Sequence, residues 1–232
     1  MADTTSLAEQ AFTRLRRDML AGSLAAGSKL KIEDLQDLYG FSSSPLREAL
    51  SRLCQEGLVR ADERRGFRVA PISAEDMADI TRMRLILDLQ ALSDAISCGT
   101  DAWEAAIVAA FYRLEKVEGR LEGPTVLDEE WGALHRAFHM ALIAACSSAR
   151  QRSWSASLFD QAERYRRYSS THRNASRRKT NEHKKLMEAT LNRETHAASA
   201  MLREHILGTQ RNVEAALRAA AGETSLEERK HR

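Results

Sequence analysis

Apolar residues follow two different patterns along the chain, and the change falls near residue 72. Before it, apolar positions form short groups interrupted by glycines. After it, they recur at spacings of three and four over long stretches, as in Met83, Leu87 and Ala91, which is typical of amphipathic helices. The pattern predicts a domain of short elements over residues 1–72, an all-helical domain over 73–222, and a frayed or disordered charged tail over 223–232.

The first domain has the element order of a winged helix-turn-helix. Ser44 and Pro45 mark the start of its third helix, because proline at the first helical position loses no hydrogen bond and serine caps free amides. Gly57 ends this helix, and two short alternating segments joined by the charged turn DERRG predict a hairpin, the wing. The predicted elements are helices over 7–21, 32–39 and 44–57 and strands over 58–61 and 67–70.

The second domain begins with Ser73, which opens a capping-box pattern and predicts a helix that runs to Cys98. Glycines, serines and one asparagine separate the segments that follow. They predict further helices over 101–119, 126–147, 151–170, 175–190 and 193–220. The predicted fold class is therefore mostly α, with an N-terminal winged helix-turn-helix and a small β-hairpin wing before an all-α antiparallel bundle of about six helices.

Composition narrows the protein class. The 232 residues are 43% hydrophobic, enough to bury two modest cores. The sequence contains neither a signal-peptide pattern nor an apolar stretch long enough to span a membrane, so we expect a cytoplasmic protein with no membrane partner. The net charge of +2 does not by itself indicate nucleic-acid binding, so that question depends on the local distribution of charge.

The three cysteines stand singly in helical patterns and form no CxxC pair. A disulfide framework or a zinc ribbon is therefore not expected. We interpret Cys54, Cys98 and Cys146 as small core residues.

The third helix and the wing carry candidate DNA-binding residues. Hydroxyls, a guanidinium and free backbone amides at a helix N-terminus can contact phosphates and base edges, and a glycine lets the basic turn approach DNA closely. Arg47 can bind a guanine edge with two hydrogen bonds, although an ion pair within the helix is the alternative. An ordinary solvated hairpin is the alternative for the wing. The candidates are Ser42, Ser43, Ser44, Arg47, Arg64, Arg65 and Gly66.

Four histidines in the second domain form a candidate metal site. His135 and His139 share one helix face, because four residues leave about 40° of rotation between them. His183 and His205 lie on either side of a predicted turn near Asn192. A helical hairpin can therefore place the two residues side by side on adjacent helices. Imidazoles suit zinc, with nickel or another divalent ion as the alternative. The set also fits a histidine-lined cavity that binds no metal.

The segment GSKLKIEDLQDLYGFSSSPLREALSRLCQEGLVRADERRGFRVAPIS resembles the N-terminal domain of the GntR family of transcriptional regulators, above all in PLREAL, EGLV and RGFRV. Ser43 stands where many members have an arginine that contacts DNA. The resemblance therefore implies DNA binding but does not specify the operator sequence. The resemblance implies a homodimer that binds a palindromic double-stranded operator.

Residues 75–220 resemble the FCD domain of the FadR-type branch of this family. Its landmarks match Arg84 in TRMRLILD, FH at His139, EH at His183, and His205 in MLREHI. In metal-binding members these three histidines are ligands, and an aspartate precedes FH by three positions. That position is His135 here, so we predict that His135 replaces the aspartate as a ligand and makes the site softer and less favourable to manganese.

The FCD resemblance also implies a small organic acid as effector. Arg84 is the implied carboxylate anchor, and Arg164 in DQAERYRRYS is a second candidate cation, since guanidinium groups bind carboxylates in a bidentate manner. A surface position is the alternative for Arg164. DQAERYR and HRAFH resemble the branch of carbon-starvation-induced regulators, which favours a short dicarboxylate or hydroxy acid.

These observations predict a DNA-binding repressor that its effector releases. We do not expect an enzyme, because HRAFH lacks the glutamate of HExxH hydrolases and the sequence has no nucleophile elbow or phosphate loop. Two alternatives remain. One is a metal-independent dimeric DNA-binding protein that senses no effector, and the other is a metal-dependent hydrolase.

Overall fold

The computed structural model describes residues 5–62, 66–120, 129–171 and 180–230, with 171, 180 and 221–230 described by their backbone alone. Helices and one small antiparallel sheet make up the described chain, so the predicted mostly α fold class is confirmed. The chain forms two compact units, Met1–Ile72 and Ser73–Arg232.

The first unit contains three helices and three short strands. α1 begins after Ser6, whose Oγ accepts a hydrogen bond from the amide of Glu9, and ends at Gly22 in the left-handed conformation that glycine adopts without strain. The elements in chain order are α1 (Leu7–Ala21), β1 (Lys29–Leu30), α2 (Ile32–Tyr39), α3 (Ser43–Gln55), β2 (Val59–Asp62) and β3 (Gly66–Val69).

A leucine-rich core holds α3 in place. Leu46, Leu50 and Leu53 are fully buried along one face of α3, which packs against α1, α2 and β2. Burial of each leucine contributes roughly 1.5–3 kcal/mol to folding. The packed face of α3 therefore leaves its opposite face and its N-terminus to solvent.

The start of α3 differs from the prediction by two residues. The helix begins at Ser43, with Ser42 rather than Ser44 at the N-cap position. Pro45 thus occupies the third helical position, which is compatible with proline because none of the first four amides of a helix has an intrahelical partner.

The sheet has three strands in the order β1-β3-β2, whereas the sequence predicted a two-stranded hairpin. β1 pairs with β3 in antiparallel register, with Lys29 opposite Arg68 and Leu30 opposite Phe67. A two-residue strand is too short to show the alternation by which strands are recognised in a sequence, so the prediction missed it.

The second unit is a helical bundle. Ser73 caps its first helix as predicted, since Ser73 Oγ accepts a hydrogen bond from the Asp76 amide at 3.1 Å. The bounds are α4 (Ala74–Cys98), α5 (Asp101–Glu118), α6 (Glu129–Leu142), α7 (Ala149–Thr171), α8 (Thr180–Leu191) and α9 (Thr195–Lys230). The predicted helical residues 126–128 and 175–179 lie outside the described residues.

Aromatic and aliphatic side chains fill the bundle. Trp131 and Phe138 on α6 are fully buried among residues of α4, α5, α8 and α9. Arg136 links α6 to α7, because its Nε and Nη2 donate to the two carboxylate oxygens of Asp160 at 2.7 and 3.1 Å. These contacts hold in place the face of α6 that carries its histidines.

The last helix is longer than predicted. α9 continues to Lys230, although the sequence predicted its end near residue 220. Glutamate, leucine, arginine and lysine dominate the last residues, and these are good helix formers.

The cysteine environments differ from one another. Cys146 is buried and Cys54 is half-buried, but Cys98 is exposed, so the prediction of three core cysteines fails there. Cys98 is the last residue of α4 and lies where the buried face of the helix ends. No helix within the described ranges combines the length and the apolar content needed to cross a membrane.

Candidate DNA-binding surface and metal centre

The N-terminus of α3 is an exposed group of hydrogen-bond donors. Ser42, Ser43, Ser44 and Arg47 are all exposed, and the first turn contains no acidic residue. Ser42 makes no side-chain capping bond, so the first amides of α3 remain available to a ligand. The guanidinium of Arg47 has no hydrogen-bond or ion-pair partner among the described residues, so the alternative of an ion pair within the helix is not observed.

A row of basic side chains crosses the three-stranded sheet. Lys29, Arg68 and Arg60 lie directly opposite one another on β1, β3 and β2, and all three are exposed. Like charges directly opposite each other destabilise a sheet. Arg68 lies 3.8 Å from a carboxylate oxygen of Asp62, and this ion pair partly offsets the repulsion. It is the one ion pair that the described residues form with the row. The row is therefore suited to a polyanion such as DNA.

Lys29 was missed by the sequence analysis, because it belongs to the strand that the prediction omitted. Gly66 begins β3 with a φ of +91°, a conformation in which any other residue is strained, and the space around it is open. Arg64 and Arg65 lie outside the described residues. Their assignment to the DNA-binding surface remains a prediction.

The second unit brings the four predicted histidines together. His135 and His139 lie on α6, and His183 and His205 project from α8 and α9. One ring nitrogen of each residue lies within 4.8 Å of the corresponding atom of every other residue. His135, His139 and His183 are buried, and the side chain of His205 is 10% exposed. Four imidazoles from three helices thus surround one point inside the bundle.

Two of these imidazoles have a carboxylate behind them. Nδ1 of His183 lies 3.3 Å from Oε1 of Glu118, and Nδ1 of His205 lies 3.4 Å from Oε2 of Glu182. The contact between His183 and Glu118 is within ion-pair distance but does not have the geometry of a hydrogen bond. Neither ring nitrogen of His183 has a hydrogen-bond partner in the described structure. Carboxylates in this position orient metal-binding histidines.

His135 has a different neighbour. Arg166 is buried, and its Nη1 lies 3.2 Å from Nδ1 of His135. Nε2 of His135 lies 3.1 Å from Nε2 of His139. The same Nη1 of Arg166 donates to Glu163, one turn earlier on α7. Burial lowers the pKa of Arg166 to about 10, so the guanidinium remains cationic at neutral pH.

The environment of His139 favours a neutral imidazole. Burial lowers the pKa of His139 well below its usual range, and positive charge on His205 and His183 lowers it further. A neutral imidazole keeps a nitrogen lone pair, which is what a metal ion requires. The unsatisfied, buried Nε2 of His183 is a second feature that fits a bound cation.

Two buried guanidinium groups lie beside the cluster. Arg84 on α4 donates to Asp88 at 2.9 Å, and both residues are buried. The Cζ atoms of Arg84 and Arg166 lie 5.1 and 4.4 Å from the ring centre of Phe159. That ring centre lies 5.4 and 5.2 Å from those of His135 and His139.

Several buried polar atoms near these cations have no partner in the described part of the chain. They are Thr81 Oγ1 and Asp88 Oδ1 on α4, and Ser155 Oγ and Arg166 Nη2 on α7. α4 and α7 pack against each other, so these atoms belong to one interhelical region. An unsatisfied buried polar atom costs about 1–3 kcal/mol, and a polar ligand between α4 and α7 would recover that energy.

Arg166 is the basic residue that the sequence analysis overlooked. Arg164, the predicted second cation, is also buried, which excludes the alternative of a surface position. The side chain that touches the histidine cluster is nevertheless that of Arg166. Phe159, Glu163 and Arg166 follow spacings of four and three on α7, and this periodicity was a signal for the residues that face the cluster.

Two relatives match most of the chain. The uncharacterized HTH-type transcriptional regulator BphR of Paraburkholderia xenovorans (strain LB400) is 40% identical over 207 residues, which is 89% of this chain and 84% of BphR. The HTH-type transcriptional repressor GlaR of Escherichia coli (strain K12) is 36% identical over 197 residues, which is 83% of this chain and 89% of GlaR.

A solved structure and two family models agree with these relatives. The structure of E. coli McbR/YncC aligns with 94% of this chain over 100% of the McbR/YncC chain, with a TM-score of 0.75 and 21% sequence identity. The two chains share the same fold. The model described as bacterial regulatory proteins, gntR family, matches residues 7–69, and the FCD domain model matches residues 79–208. The chain therefore belongs to the gntR family of bacterial transcriptional regulators, in the branch that carries a C-terminal FCD domain.

Proposed function

We propose that this regulator is a repressor whose affinity for its operator is controlled by a small organic acid, which binds with a divalent metal in the FCD domain. The observation that carries this proposal is the convergence of four histidines beside the buried guanidiniums of Arg84 and Arg166. The site combines ligands for a cation with donors for an anion, as a metal-assisted carboxylate site requires.

The proposed DNA contacts come from α3 and the sheet. The N-terminal end of α3 reads a major groove through Ser42, Ser43, Ser44 and Arg47, as recognition helices of this motif do. The row of Lys29, Arg68 and Arg60, together with Arg64, Arg65 and Gly66, contacts the DNA backbone. Phosphate contacts position the protein, and the contacts of Arg47 with bases supply sequence specificity.

The proposed metal is zinc, with nickel as the alternative. His139, His183 and His205 would hold it, with His135 at the fourth position of the cluster. A bound divalent ion supplies a Lewis acid that binds carboxylate and hydroxyl oxygens of the effector. Imidazole ligands contribute no negative charge of their own, so an ion held by histidines can still attract an anion.

The proposed effector is a short dicarboxylate or hydroxy acid. Arg84 binds one carboxylate, and Arg166 and Arg164 are the candidates for a second anionic group. Thr81 Oγ1 and Ser155 Oγ are unpartnered buried atoms in the same interhelical region, and hydroxyls of this kind suit a polar substituent.

Replacement of Arg84 by lysine is expected to weaken effector binding about tenfold without a loss of operator affinity. Lysine keeps the charge but loses the two parallel hydrogen bonds that a guanidinium makes to a carboxylate. The measurement is the effector concentration that releases half of the operator-bound protein. Arg82→Lys is the matched control, because Arg82 lies on the same helix and is exposed. An equal response of the two variants contradicts the role of Arg84.

A homodimer is proposed from an apolar face of the second unit. Ile86 on α4 and Trp154 on α7 are 59% and 55% exposed, and they line a surface groove of about 380 Å³. Large adjacent apolar side chains of this kind mark interaction surfaces. A second copy of the chain is the proposed occupant, because a palindromic operator requires two recognition helices related by a twofold axis.

Replacement of Trp154 by arginine is expected to raise the dimer dissociation constant about tenfold, because interface tryptophans contribute a large share of binding energy. Sedimentation velocity over a range of protein concentrations measures this change. Tyr112→Arg is the control, since Tyr112 is an equally exposed aromatic residue on α5. If Tyr112→Arg shifts the monomer–dimer equilibrium and Trp154→Arg does not, the dimer interface lies elsewhere.

The decisive experiment for the proposed function combines metal analysis of the purified protein with a thermal-shift screen of short mono- and dicarboxylates, with and without a chelator. A ligand that binds only the folded protein raises its stability by mass action. The proposal expects one metal per chain and an acid that stabilises the metal-loaded form. A flat response to every metal and acid would leave the FCD domain as a dimerisation module.

A further inference from the structure

Asp88 on α4 is a buried carboxylate that uses only one of its two oxygens. Its Oδ2 accepts a hydrogen bond from Nε of Arg84 at 2.9 Å. Its Oδ1 is also buried and has no hydrogen-bond partner among the described residues. The oxygens of an ion-paired carboxylate only accept hydrogen bonds, so Oδ1 lacks a donor. Folded proteins rarely leave such an atom unpaired, so this oxygen marks a position where the donor of a ligand fits.

The ion pair is held between α4 and α7, which run antiparallel. Cζ of Arg84 lies 5.1 Å from the ring centre of Phe159. Further along α4, the carbonyl oxygen of Leu87 accepts from Nε2 of Gln151, which comes earlier on α7, at 2.8 Å. Ser155 stands four residues from both Gln151 and Phe159 and shares their face of α7. Its buried and unpartnered Oγ is therefore level with the ion pair.

One aromatic ring separates the ion pair from the histidine cluster. The ring centre of Phe159 lies 5.1 Å from Cζ of Arg84 and 5.2 Å from the ring centre of His139. A short ligand at the proposed metal site can therefore reach the ion pair as well. The unpartnered oxygen of Asp88 thus belongs to the region in which the effector is proposed to bind.

The ion pair offers donors and an acceptor next to each other. Nε of Arg84 donates to Asp88, but no hydrogen bond joins the Nη groups of Arg84 to any described residue. Those groups suit a carboxylate, and Oδ1 of Asp88 suits a donor. An α-hydroxy acid carries both functions on neighbouring carbon atoms. An ionised dicarboxylate without a hydroxyl carries acceptors alone and brings a negatively charged oxygen toward Asp88.

The surroundings favour a donor that carries no charge. Arg84 already balances the charge of Asp88, and Cζ of Arg166 lies 4.4 Å from the ring centre of Phe159, which Arg84 also contacts. The proposed metal ion adds further positive charge. A protonated amine would be repelled by these cations, whereas a hydroxyl donates a hydrogen bond without a charge of its own.

We propose that Asp88 is a specificity-determining residue of the effector site, and that its Oδ1 accepts a hydrogen bond from the hydroxyl of a short α-hydroxy acid. The carboxylate next to that hydroxyl binds the Nη groups of Arg84. This inference rests on the proposed function, whose two classes of effector it reduces to one.

The first test compares matched pairs of acids of three, four and five carbons on the full-length protein, with zinc and after chelation. The pairs are propionate and lactate, succinate and malate, and glutarate and α-hydroxyglutarate, with separate enantiomers. Isothermal titration calorimetry measures each dissociation constant. In the pair whose length fits the site, the hydroxy acid is expected to bind about 10-fold to 100-fold more tightly, because it adds a hydrogen bond to a charged group. The α-amino acids of equal length are expected to bind more weakly than the hydroxy acids.

The second test separates Asp88 from the metal, because a metal ion can also bind the hydroxyl oxygen. In Asp88→Asn the amide oxygen can accept from Arg84, and the amide nitrogen then replaces the acceptor Oδ1 by a donor. The ratio of the dissociation constants of the parent acid and the hydroxy acid is expected to fall below about threefold. Loss of the negative charge affects both acids, so this ratio is the quantity that decides. Asp79→Asn is the matched control with the wild-type ratio, since Asp79 is exposed on the same helix.

Four results would overturn the inference. Equal or tighter binding of the parent acid by the wild-type protein, or tighter binding of the amino acid, would do so and retain the proposed function. A preference for the hydroxy acid that persists in Asp88→Asn would assign the hydroxyl to the metal instead. Absence of binding of every acid would overturn the proposed function together with the inference. The wild-type comparison does not depend on the folding of a variant.

Discussion

Replacement of Arg47 by alanine is expected to weaken operator binding by about 30-fold to 10⁴-fold. A bidentate contact between arginine and guanine contributes about 1–3 kcal/mol of discrimination, and a dimer on a palindromic operator makes this contact twice. Arg47 is exposed on α3 and has no ion-pair partner among the described residues, so its removal disturbs no internal contact of that kind. The folded domain is therefore expected to retain its stability.

The measurement is fluorescence anisotropy with operator DNA and with a scrambled duplex at several salt concentrations. Loss of a base contact lowers the ratio of the two affinities, whereas loss of a phosphate contact weakens both equally and reduces the salt dependence by about two ions, one for each subunit of the dimer. Arg113→Ala is the control for charge, because Arg113 is exposed on α5 in the second unit. An unchanged affinity ratio for Arg47→Ala would reassign Arg47 to the phosphate backbone.

Replacement of His183 by alanine is expected to weaken zinc binding on the order of 100-fold. His183 is fully buried, its Nε2 lacks a hydrogen-bond partner among the described residues, and Glu118 lies behind its Nδ1. Zinc at about one hundred times its dissociation constant stabilises the wild-type protein by about 2.7 kcal/mol. This corresponds to a rise of roughly 5–11 °C in Tm for a protein of this size.

The same zinc concentration should raise the Tm of His183→Ala by less than about 2 °C, because the concentration is then close to the dissociation constant. The shift is measured within each protein, between chelated and zinc-loaded samples, so a change in the stability of the apoprotein does not affect it. His196→Ala is the control, since His196 is exposed on α9. A full zinc-induced shift in His183→Ala would exclude His183 as a ligand.

The local patterns of the sequence predicted the helices and the groups of residues that lie within one helix. The spacing of His135 and His139 placed both on one face of α6, because helical geometry depends only on the number of residues between them. The exposed N-terminus of α3 followed in the same way from the position of its leucines. The resemblance to the gntR family and the FCD domain added the family, which the relatives and family models confirm.

Contacts between distant segments were decided by the tertiary structure alone. Lys29 joins Arg60 and Arg68 in one row only because β1 pairs with β3 across 38 intervening residues, and a two-residue strand leaves no periodic signal. The choice of Arg166 over Arg164 as the neighbour of His135 depends on the rotation of α7 against α6. Basic residues two positions apart in one run look alike in a sequence.

The histidine cluster also combines features that the sequence determines with features that only the tertiary structure decides. The sequence determined which residues are histidines and which pairs share a helix or a hairpin, because these follow from local spacing. It did not determine that a guanidinium lies behind one imidazole and carboxylates behind two others, since Arg166, Glu118 and Glu182 come from three different helices. The proton on each ring, and hence its capacity to bind a metal, depends on that packing.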